Sequence, residues 1–455
     1  MAGETLTEQL ARFACGLSFE DLSEGQIRKL KTYLLDWLGS AFAGQAQPPT
    51  QIMLQLAHAL GGKPEATLIP DGSKGMCLLA ALINGASSHV VEMDDLHRES
   101  VFHPAAAILP AVMAAGERGH VSGKLLLPGI AVGYEVGIRV AMAVGTSHYR
   151  YWHTTATCGT FGAAAGAAKV MGLEQEPFVW ALGSAGTQAA GLWEFLVESA
   201  MSKQLHPGKS AMDGLLSALL AQGGFTGARR ILEGEKGFFH ATSQDFDEAR
   251  CLLGLGEVFA FERNSLKFHA SCGHTHSAID AILLATGGKA MRPEEVDRVD
   301  VSVYQAAIDL LGKVEPTTPY VAKFNFPFCL ATAVRYGRVG PEAFTPERLK
   351  DADILKIMTR VHVASDDALT RDYPRKWPAR VEIRTRDGRT LLGANEYPKG
   401  DPESPLSDEE VIAKFKGLTD GSISEGASER IVERVMDLEG LGDVAGMLDV
   451  ERKGA

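Results

Sequence analysis

The fold of this protein is indicated most clearly by the stretch Gly159-Thr-Phe-Gly-Ala-Ala-Ala-Gly-Ala-Ala-Lys169. Gly162 and Gly166 lie four residues apart, so one face of a helix over about 156–171 carries no bulk and a neighbouring helix can approach closely. The stretch is not a GxGxxG loop and no predicted strand precedes it, which excludes a dinucleotide-binding motif. It therefore predicts helices packed against each other at short distance.

Helical periodicity extends to both sides of this stretch. Ser23 to Gln26 form a capping box, and apolar residues follow at helical spacing up to a stop at Gly44. Further helices are predicted at about 50–60, 76–90, 105–118, 124–144, 177–190 and 210–222. The apolar stretch over 124–144 contains Glu135 and Arg139 on one helix face, which favours a core helix over a membrane span. The first 265 residues are therefore expected to be mostly helical.

The pattern changes after about Asn264. Residues 298–304 and 360–364 alternate apolar and polar side chains as half-buried strands do, and 380–393 read as a hairpin turning at Asp387-Gly388. Helices are predicted between these strands near 276–287, 306–312 and 326–337. Together they form an α+β segment of about 140 residues. A proline-rich linker is predicted over Tyr397–Pro405, and a capping box at Ser407 begins a final helical segment that is expected to return to the first domain.

Composition and charge narrow the class of protein. The chain of 455 residues is 45% hydrophobic and 22% charged, as in a globular protein, and roughly 150 residues per domain predicts two or three domains. Its formal charge of −12 argues against a nucleic-acid partner. Six widely spaced cysteines without a CxxC pair are typical of reduced thiols in a cytoplasmic protein. No secretory signal opens the sequence, so we expect a cytoplasmic protein with no membrane partner.

Titratable side chains concentrate in four short stretches beside glycine, proline and small residues. Seven of the 13 histidines fall in these stretches, which are 92–97 with His103-Pro104, 152–157, 203–209 and 267–276. Histidine exchanges protons near neutral pH, lysine supplies fixed positive charge, and a carboxylate orients a histidine. Each stretch alone has a structural interpretation, since Asp94-Asp95 can cap a helix and Lys203 can be a solvated lysine. Their fourfold recurrence favours a polar site.

Two other kinds of site are disfavoured. His269, Cys272, His274 and His276 are competent zinc ligands, but their spacing matches no structural zinc pattern and no second Cys/His pair lies near them. The sequence has no GxSxG nucleophile motif and no GxxxxGK[ST] phosphate loop. We therefore predict no metal site, no serine hydrolase and no nucleotide-phosphate site.

Taken together, these stretches resemble the MmgE/PrpD family, which includes 2-methylcitrate dehydratase, cis-aconitate decarboxylase and iminodisuccinate epimerase. The resemblance covers about residues 5–450 and is specific for the family rather than for one activity. The matching pieces stand in the family's order and are His89–Asp95 with His103-Pro104, Gly133–Arg139, His153–Thr157 with Phe161-Gly-Ala-Ala, Lys203–Gly208, Lys267–Ala281, and Tyr397–Asp401 with Pro405–Ser407.

The resemblance implies a mainly α fold, in which an all-helical large domain (1–265 and 401–455) carries an inserted smaller α+β lid domain (266–400). It also implies a homodimer, no cofactor, and a site between the two domains for a small anionic di- or tricarboxylate. The residues carried over by position as catalytic are Asp94, His103, His153, Lys203 and Lys267. Those expected to bind substrate are Glu92, His206, Cys272 and His276.

Several positions depart from the pattern of the decarboxylases. Glu92 stands where they have an aspartate, and Leu96 stands where a threonine is common. Cys272 replaces a histidine and Phe328 a tyrosine. Lost polar groups change which substrates a site accepts. We therefore expect a cofactor-free lyase resembling 2-methylcitrate dehydratase. The alternatives are a dicarboxylate epimerase, a cis-aconitate decarboxylase-like enzyme, and a polycarboxylate-binding protein without catalysis.

Overall fold

The computed structural model describes residues 3–198, 200–311 and 315–453, which form two compact units. The helical unit comprises Met1–Val90, Asp94–Asn264 and Ser407–Ala455, and the α+β unit comprises Val91–Met93 and Ser265–Leu406. Helices account for 58% of the protein and strands for 9%, which confirms the predicted mainly α fold class.

In the described part of the chain, the helical unit has twelve α-helices before Ser265. They are α1 (Leu6–Gly16), α2 (Glu24–Ala43), α3 (Pro48–Leu60), α4 (Cys77–Val90), α5 (Pro104–Gly119), α6 (Gly123–Ala143), α7 (Gly145–Tyr149), α8 (Thr154–Val170), α9 (Gln175–Gly186), α10 (Glu194–Glu198), α11 (Ser202–Gln222) and α12 (Phe238–Thr242). A short antiparallel pair, β1 (Ala66–Thr67) with β2 (Lys74–Gly75), separates α3 from α4. The sequence did not predict this pair, because two residues are too few to show alternation.

Glycines set the spacing of the central helices. A Cβ atom at Gly162 of α8 would lie 2.8 Å from the carbonyl oxygen of Gly133 on α6, and one at Gly166 would lie 3.0 Å from that of Gly129. The close helix approach predicted from Gly162 and Gly166 is thus confirmed. Helix α6 is long and apolar enough to cross a membrane. However, 89% of its apolar stretch is buried inside the protein, as expected for the core helix that the sequence predicts.

Helix α11 begins eight residues before its predicted start. The predicted start at about 210 lies just after Pro207 and Gly208, two residue types that normally interrupt a helix. In the structure Pro207 lies inside α11, and Gly208 packs on α4, where an added Cβ would lie 2.2 Å from the carbonyl oxygen of Leu82. Helix packing therefore overrides the local preference, and the first turns of α11 carry Lys203 and His206.

The α+β unit contains a four-stranded sheet with short helices around it. Its elements are α13 (His276–Thr286), β3 (Val296–Val303), α14 (Gln305–Leu311), α15 (Pro319–Ala322), α16 (Phe326–Tyr336), α17 (Ala352–Met358), β4 (Val361–Ser365), α18 (Asp367–Asp372), β5 (Ala379–Thr385) and β6 (Thr390–Asn395). The strand order is β4-β3-β5-β6, with β3 parallel to β4 and antiparallel to β5. The hairpin predicted at Asp387-Gly388 joins β5 to β6, and Gly388 has a φ of 89°. Gly312, the last residue of a predicted helix, lies outside the described residues.

The segment predicted as a linker is held by hydrogen bonds. Within Tyr397–Pro405, the amide of Gly400 donates to Ser404 O at 2.8 Å, and its carbonyl accepts from Leu266 N at 2.9 Å. The amide of Lys399 donates to the Asp280 carboxylate at 2.8 Å. The prolines therefore shape an ordered turn of the α+β unit rather than a loose connection. The chain then returns to the helical unit with α19 (Asp408–Thr419) and α20 (Glu425–Met436), and the predicted capping box at Ser407 begins α19.

Candidate functional site

Four imidazoles meet inside the helical unit, and we call His89, His103, His153 and His206 the histidine cluster. Their ring centroids lie 4.9 Å apart for His89–His103, 6.0 Å for His89–His153 and 5.3 Å for His153–His206. His89 lies in the last turn of α4, one residue before its end, and His206 lies in the second turn of α11. His103 and His153 immediately precede α5 and α8. Four helix ends thus converge on one buried polar region.

The cluster holds one carboxylate against two of its imidazoles. Asp94 Oδ2 lies 2.7 Å from His89 Nδ1 and 3.3 Å from His103 Nδ1. His103 Nδ1 is also 2.7 Å from the carbonyl oxygen of Asp95. A carbonyl oxygen only accepts hydrogen bonds, so Nδ1 of His103 carries a proton, and in the neutral ring Nε2 keeps the basic lone pair. The side chain of His103 retains 12% exposure, which suits a group that meets a ligand.

The loop that carries Asp94 to His103 is strained and clamped. His97 and Phe102 pair through backbone hydrogen bonds of 2.7 and 3.3 Å. Between them, Val101 has a φ of 47°, which is costly for a β-branched residue and typical of functional sites. Thr154 Oγ1 donates to Val101 O at 2.6 Å, and Thr155 Oγ1 accepts from His103 N at 3.2 Å. The start of α8 therefore fixes this loop.

His153 and His206 form an imidazole pair. Their Nδ1 atoms lie 3.1 Å apart, so one donates a proton and the other accepts it. Burial lowers the pKa of His153 well below its usual range, and the charges of His206 and Lys203 lower it further. Burial likewise lowers the pKa of His206 to about 4. Both rings are therefore neutral at pH 7. Two aromatic rings pack against this pair. The ring centroid of Trp193 lies 4.7 Å from that of His153, and the centroid of Phe195 lies 5.3 Å from that of His206.

Positive charge and an unpartnered polar atom adjoin the cluster. Lys203 precedes His206 by one turn of α11, is only 4% exposed, and its charge acts on the pKa of His153. Among the described residues, the Nε2 atom of His89 has no hydrogen-bond partner. Buried polar atoms are nearly always paired, so this nitrogen indicates a place where water or a polar group of a ligand binds.

The geometry at Asp94 favours proton transfer over metal binding. In the described part of the chain, His89, Asp94 and His103 are the one group whose ligand atoms, all within 4.8 Å of one another, could hold a metal ion. The 2.7 Å separations at both Nδ1 atoms are those of hydrogen bonds, and the proton of His103 Nδ1 is used by the Asp95 carbonyl. A metal would have to displace both protons. The arrangement instead suits imidazoles whose Nε2 atoms exchange protons.

The α+β unit holds the other predicted site residues. Lys267 Nζ pairs with Glu92 Oε2 at 2.8 Å, both side chains being buried, and Tyr320 donates to Glu92 at 3.2 Å. Glu92 has a φ of 58°, a second strained position. Cys272 is buried, and His276 Nε2 lies 3.2 Å from Ser271 O. Their roles as substrate-binding residues stay predictions.

The remaining histidines of the 267–276 stretch have partners of their own. His269 Nε2 lies 2.8 Å from Asp280 Oδ1. His274 Nδ1 lies 2.6 Å from the Tyr304 hydroxyl, and its ring stacks on Trp377 at 4.3 Å. Burial lowers the pKa of His274 to about 3. These imidazoles stabilise the α+β unit through separate contacts.

The structure brings together five of the nine predicted site residues in the helical unit. They are Asp94, His103, His153, Lys203 and His206. Glu92, Lys267, Cys272 and His276 belong to the α+β unit. His89 also belongs to the cluster but was not predicted as a site residue. It is the first residue of the matching piece His89–Asp95, and that position was a usable signal.

Comparison with known proteins gives consistent matches along the chain. The sequence model of the MmgE/PrpD N-terminal domain matches residues 8–250, and that of the MmgE/PrpD C-terminal domain matches residues 269–438. A cis-aconitate decarboxylase of Aspergillus terreus is 25% identical, with 98% of this chain and 95% of that protein aligned. A cis-aconitate decarboxylase-like protein of Aspergillus oryzae is 27% identical, with 97% and 96% aligned. The cis-aconitate decarboxylase of mouse is 24% identical, with 97% and 92% aligned.

Proposed function

This chain belongs to the MmgE/PrpD family and is a lyase, and we propose that it acts without a cofactor on a small di- or tricarboxylate. The observation that carries the proposal is the histidine cluster, which combines a basic imidazole nitrogen, a carboxylate and a buried lysine in one region. Our proposed reaction is the dehydration of a 2-methylcitrate-like acid. Its support is the loss of decarboxylase-type polar groups at Leu96, Cys272 and Phe328.

In this mechanism His103 is the general base. Its Nε2 atom removes the proton next to a substrate carboxylate, and the bonding electrons form the carbon–carbon double bond as hydroxide leaves the adjacent carbon. A protonated group of the site supplies the proton that turns the hydroxide into water. Asp94, 3.3 Å from the His103 ring, stabilises the imidazolium that forms. Acid–base assistance of this kind contributes roughly 10²–10⁴-fold per group.

Lys203 is the proposed carboxylate anchor of the helical unit. Removing a proton beside a carboxylate places additional negative charge on that carboxylate, and a buried cation stabilises the charge without reorganisation. His206, one turn further along α11, is the proposed neutral partner at the same anion. The proposed role of Lys267 as a second anchor for a substrate carboxylate rests on the family resemblance alone.

A second candidate reaction is decarboxylation of cis-aconitate, which the names of the aligned relatives favour. Incubation with citrate, 2-methylcitrate, cis-aconitate and iminodisuccinate in D₂O, followed by proton NMR and CO₂ detection, separates the outcomes. A dehydratase yields a new alkene from the hydroxy acids, a decarboxylase releases CO₂, and an epimerase labels recovered substrate with deuterium. A raised melting temperature without turnover of any acid would contradict catalysis and favour a binding protein.

A matched pair of lysines tests the site itself. Lys203→Ala is expected to abolish turnover without unfolding the protein. Lys209→Ala, six residues further along the same helix, removes a partly exposed lysine that is paired with Asp213, and this variant should retain turnover. Equal activity in both variants would remove Lys203 from the site. A homodimer and a cytoplasmic location stay proposals as well, and light scattering on the purified protein tests the dimer.

A further inference from the structure

Asp95 has no role in the mechanism above, and we propose that it is a positioning residue that fixes the His103 ring and its tautomer. The inference deepens the proposed function, since it rests on His103 acting through Nε2. The carbonyl oxygen of Asp95 accepts the Nδ1 proton of His103 at 2.7 Å. This contact, together with Asp94 Oδ2 at 3.3 Å from the same nitrogen, keeps the proton on Nδ1, so the basic nitrogen of the neutral ring is Nε2.

The side chain of Asp95 holds the backbone that follows His103. Its Oδ1 atom accepts from Ala105 N at 2.9 Å, two residues after His103 and within the first turn of α5. A carboxylate at this end of a helix satisfies an amide and complements the helix dipole. Asp95 therefore holds the His103 ring through its main chain and the following backbone through its side chain. Movement of His103 would break one of these bonds.

Two further donors prevent the carboxylate from rotating. Oδ2 of Asp95 accepts from the Tyr134 hydroxyl at 2.8 Å and from Asn264 Nδ2 at 2.6 Å. Tyr134 is itself held, since its ring stacks on Tyr33 at 5.5 Å and 13°. The side chain is fully buried, and burial, with a contribution from the charge of Asp94, raises the pKa of Asp95 to about 7. These donors offset the cost of burying a second carboxylate beside Asp94.

The predicted motif Gly133–Arg139 extends this support. Glu135 accepts from the amide of Phe261 at 3.0 Å. Arg139 donates to the carbonyl oxygens of Leu253 and Val258 at 2.8 and 2.7 Å. The buried Glu135–Arg139 pair thus holds the segment that ends at Asn264, which in turn holds Asp95. One helix, α6, supplies both Tyr134 and the ion pair, which gives the motif a structural reason.

Asp94 and Asp95 therefore have different roles. Asp94 faces the imidazoles of His89 and His103 through Oδ2. Asp95 directs its carboxylate to α5, α6 and Asn264, and contacts His103 through its backbone carbonyl. Loss of Asp94 should remove charge stabilisation, whereas loss of the Asp95 carboxylate should leave every reacting group present but misplaced.

Asp95→Asn in the full-length protein tests the inference. The amide keeps the size of the carboxylate but presents a second donor to Tyr134 and Asn264. We expect kcat to fall about 10–100-fold, the usual loss when a hydrogen bond that orients a functional histidine is removed. KM should change less than about 3-fold. In ¹⁵N-histidine NMR spectra, assigned with His103→Asn, the population with a proton on Nδ1 of His103 should fall.

Two variants keep the test informative. Glu117→Gln is the matched control, since Glu117 is an equally buried carboxylate that accepts from Thr67 and Lys74 in the same unit. It should lower stability without changing kcat or the His103 spectrum. Tyr134→Phe removes one bond to Asp95 and keeps the stacked ring, so it should show a smaller effect of the same kind if Asp95→Asn does not fold.

An unchanged His103 spectrum in a folded Asp95→Asn or Tyr134→Phe protein would overturn the inference. A change of the same size in Glu117→Gln would overturn it too, because the effect would then be general loss of stability. The spectrum does not depend on turnover. A wild-type protein that converts no carboxylate would therefore contradict the proposed function while the tautomer measurement still decides the role of Asp95.

Discussion

Two buried imidazole–carboxylate pairs, one in each unit, have almost the same geometry. His89 and Asp94 in the helical unit lie 2.7 Å apart, and His269 and Asp280 in the α+β unit lie 2.8 Å apart. Three further imidazoles and Lys203 surround the first pair. The second carboxylate instead accepts from Asn395 at 3.1 Å and from the amide of Lys399 at 2.8 Å. The two pairs therefore differ in their neighbours rather than in their separation, and we expect the neighbours to decide which pair takes part in the proposed reaction.

The largest effect should come from the reactive side of this comparison. His103→Asn is expected to lower kcat/KM about 10²–10⁴-fold, since it removes the proposed general base. His269→Asn should change kcat/KM less than about 3-fold, provided the protein folds as judged by circular dichroism. If His269→Asn proved as damaging to turnover as His103→Asn, the distinction between the two regions would fail.

The His153–His206 pair should show strong coupling. Each Phe replacement breaks the same Nδ1–Nδ1 contact, so the double variant should lose little more activity than the worse single variant. A double-mutant cycle on kcat/KM is expected to give a coupling of about 0.5–3 kcal/mol. Additive losses would show that the two rings act independently.

The structural side of the comparison should appear in stability. His269→Ala leaves the buried Asp280 carboxylate without one of its three donors and should lower the free energy of unfolding by about 1–3 kcal/mol. Urea denaturation measures this loss. Unaltered stability would mean that the pair contributes nothing to holding α13 and the Lys399 turn together.

Acid should weaken both regions through their neutral histidines. Burial lowers the pKa of His206 to about 4 and that of His274 to about 3. Between these values and about 6.5 the unfolded chain binds protons that the folded protein does not, so stability should fall as pH falls. Replacing either histidine by Phe should reduce this slope by up to about 1.4 kcal/mol per pH unit.

Asp95 acts in the opposite direction within part of that range. Its pKa of about 7 means that the folded protein binds an extra proton between about pH 4 and 7. The contribution of Asp95 to the free energy of unfolding therefore rises as pH falls. The informative quantity is therefore the difference between each histidine variant and the wild type at the same pH. Parallel stability curves for variant and wild type would contradict the buried neutral state of that histidine.

The smallest effect is expected from a similar pair on the surface. His120 and Asp443 lie 3.0 Å apart, but their side chains are 71% and 50% exposed. Water and salt screen such pairs, so His120→Ala should change the free energy of unfolding by less than about 0.5 kcal/mol and leave kcat/KM unchanged. A larger loss would show that an exposed pair of this kind stabilises the fold as much as a buried one.

Much of the fold followed from periodicity, capping and turn chemistry. The capping box at Ser23, the hairpin at Asp387-Gly388 and the glycine face of α8 were all predicted and confirmed. Val91–Met93 was not recognised as part of the α+β unit, because three residues carry no periodicity. The early start of α11 was missed because packing of Gly208 on α4 is a tertiary effect.

The candidate site was predicted by residue type more than by arrangement. Clustering of histidine, lysine and aspartate in the sequence identified His103, His153 and Lys203, which the structure brings into one region. Asp94 was assigned to the site through the resemblance, whereas Asp95 was given no role, since the direction of its carboxylate depends on contacts with distant helices. Nor did the sequence show which nitrogen of His103 is protonated, because a backbone carbonyl decides that.

The glycine contacts between α6 and α8 have a consequence for protein engineering. Main-chain atoms of Gly133 and Gly162 set the distance between the helix that carries Tyr134 and the helix that follows His153. No rotamer change can absorb an added methyl group there, so an alanine would shift a whole helix. Libraries that seek new acids as substrates should therefore spare these glycines and vary side chains that contact the histidine cluster, such as Trp193 and Phe195.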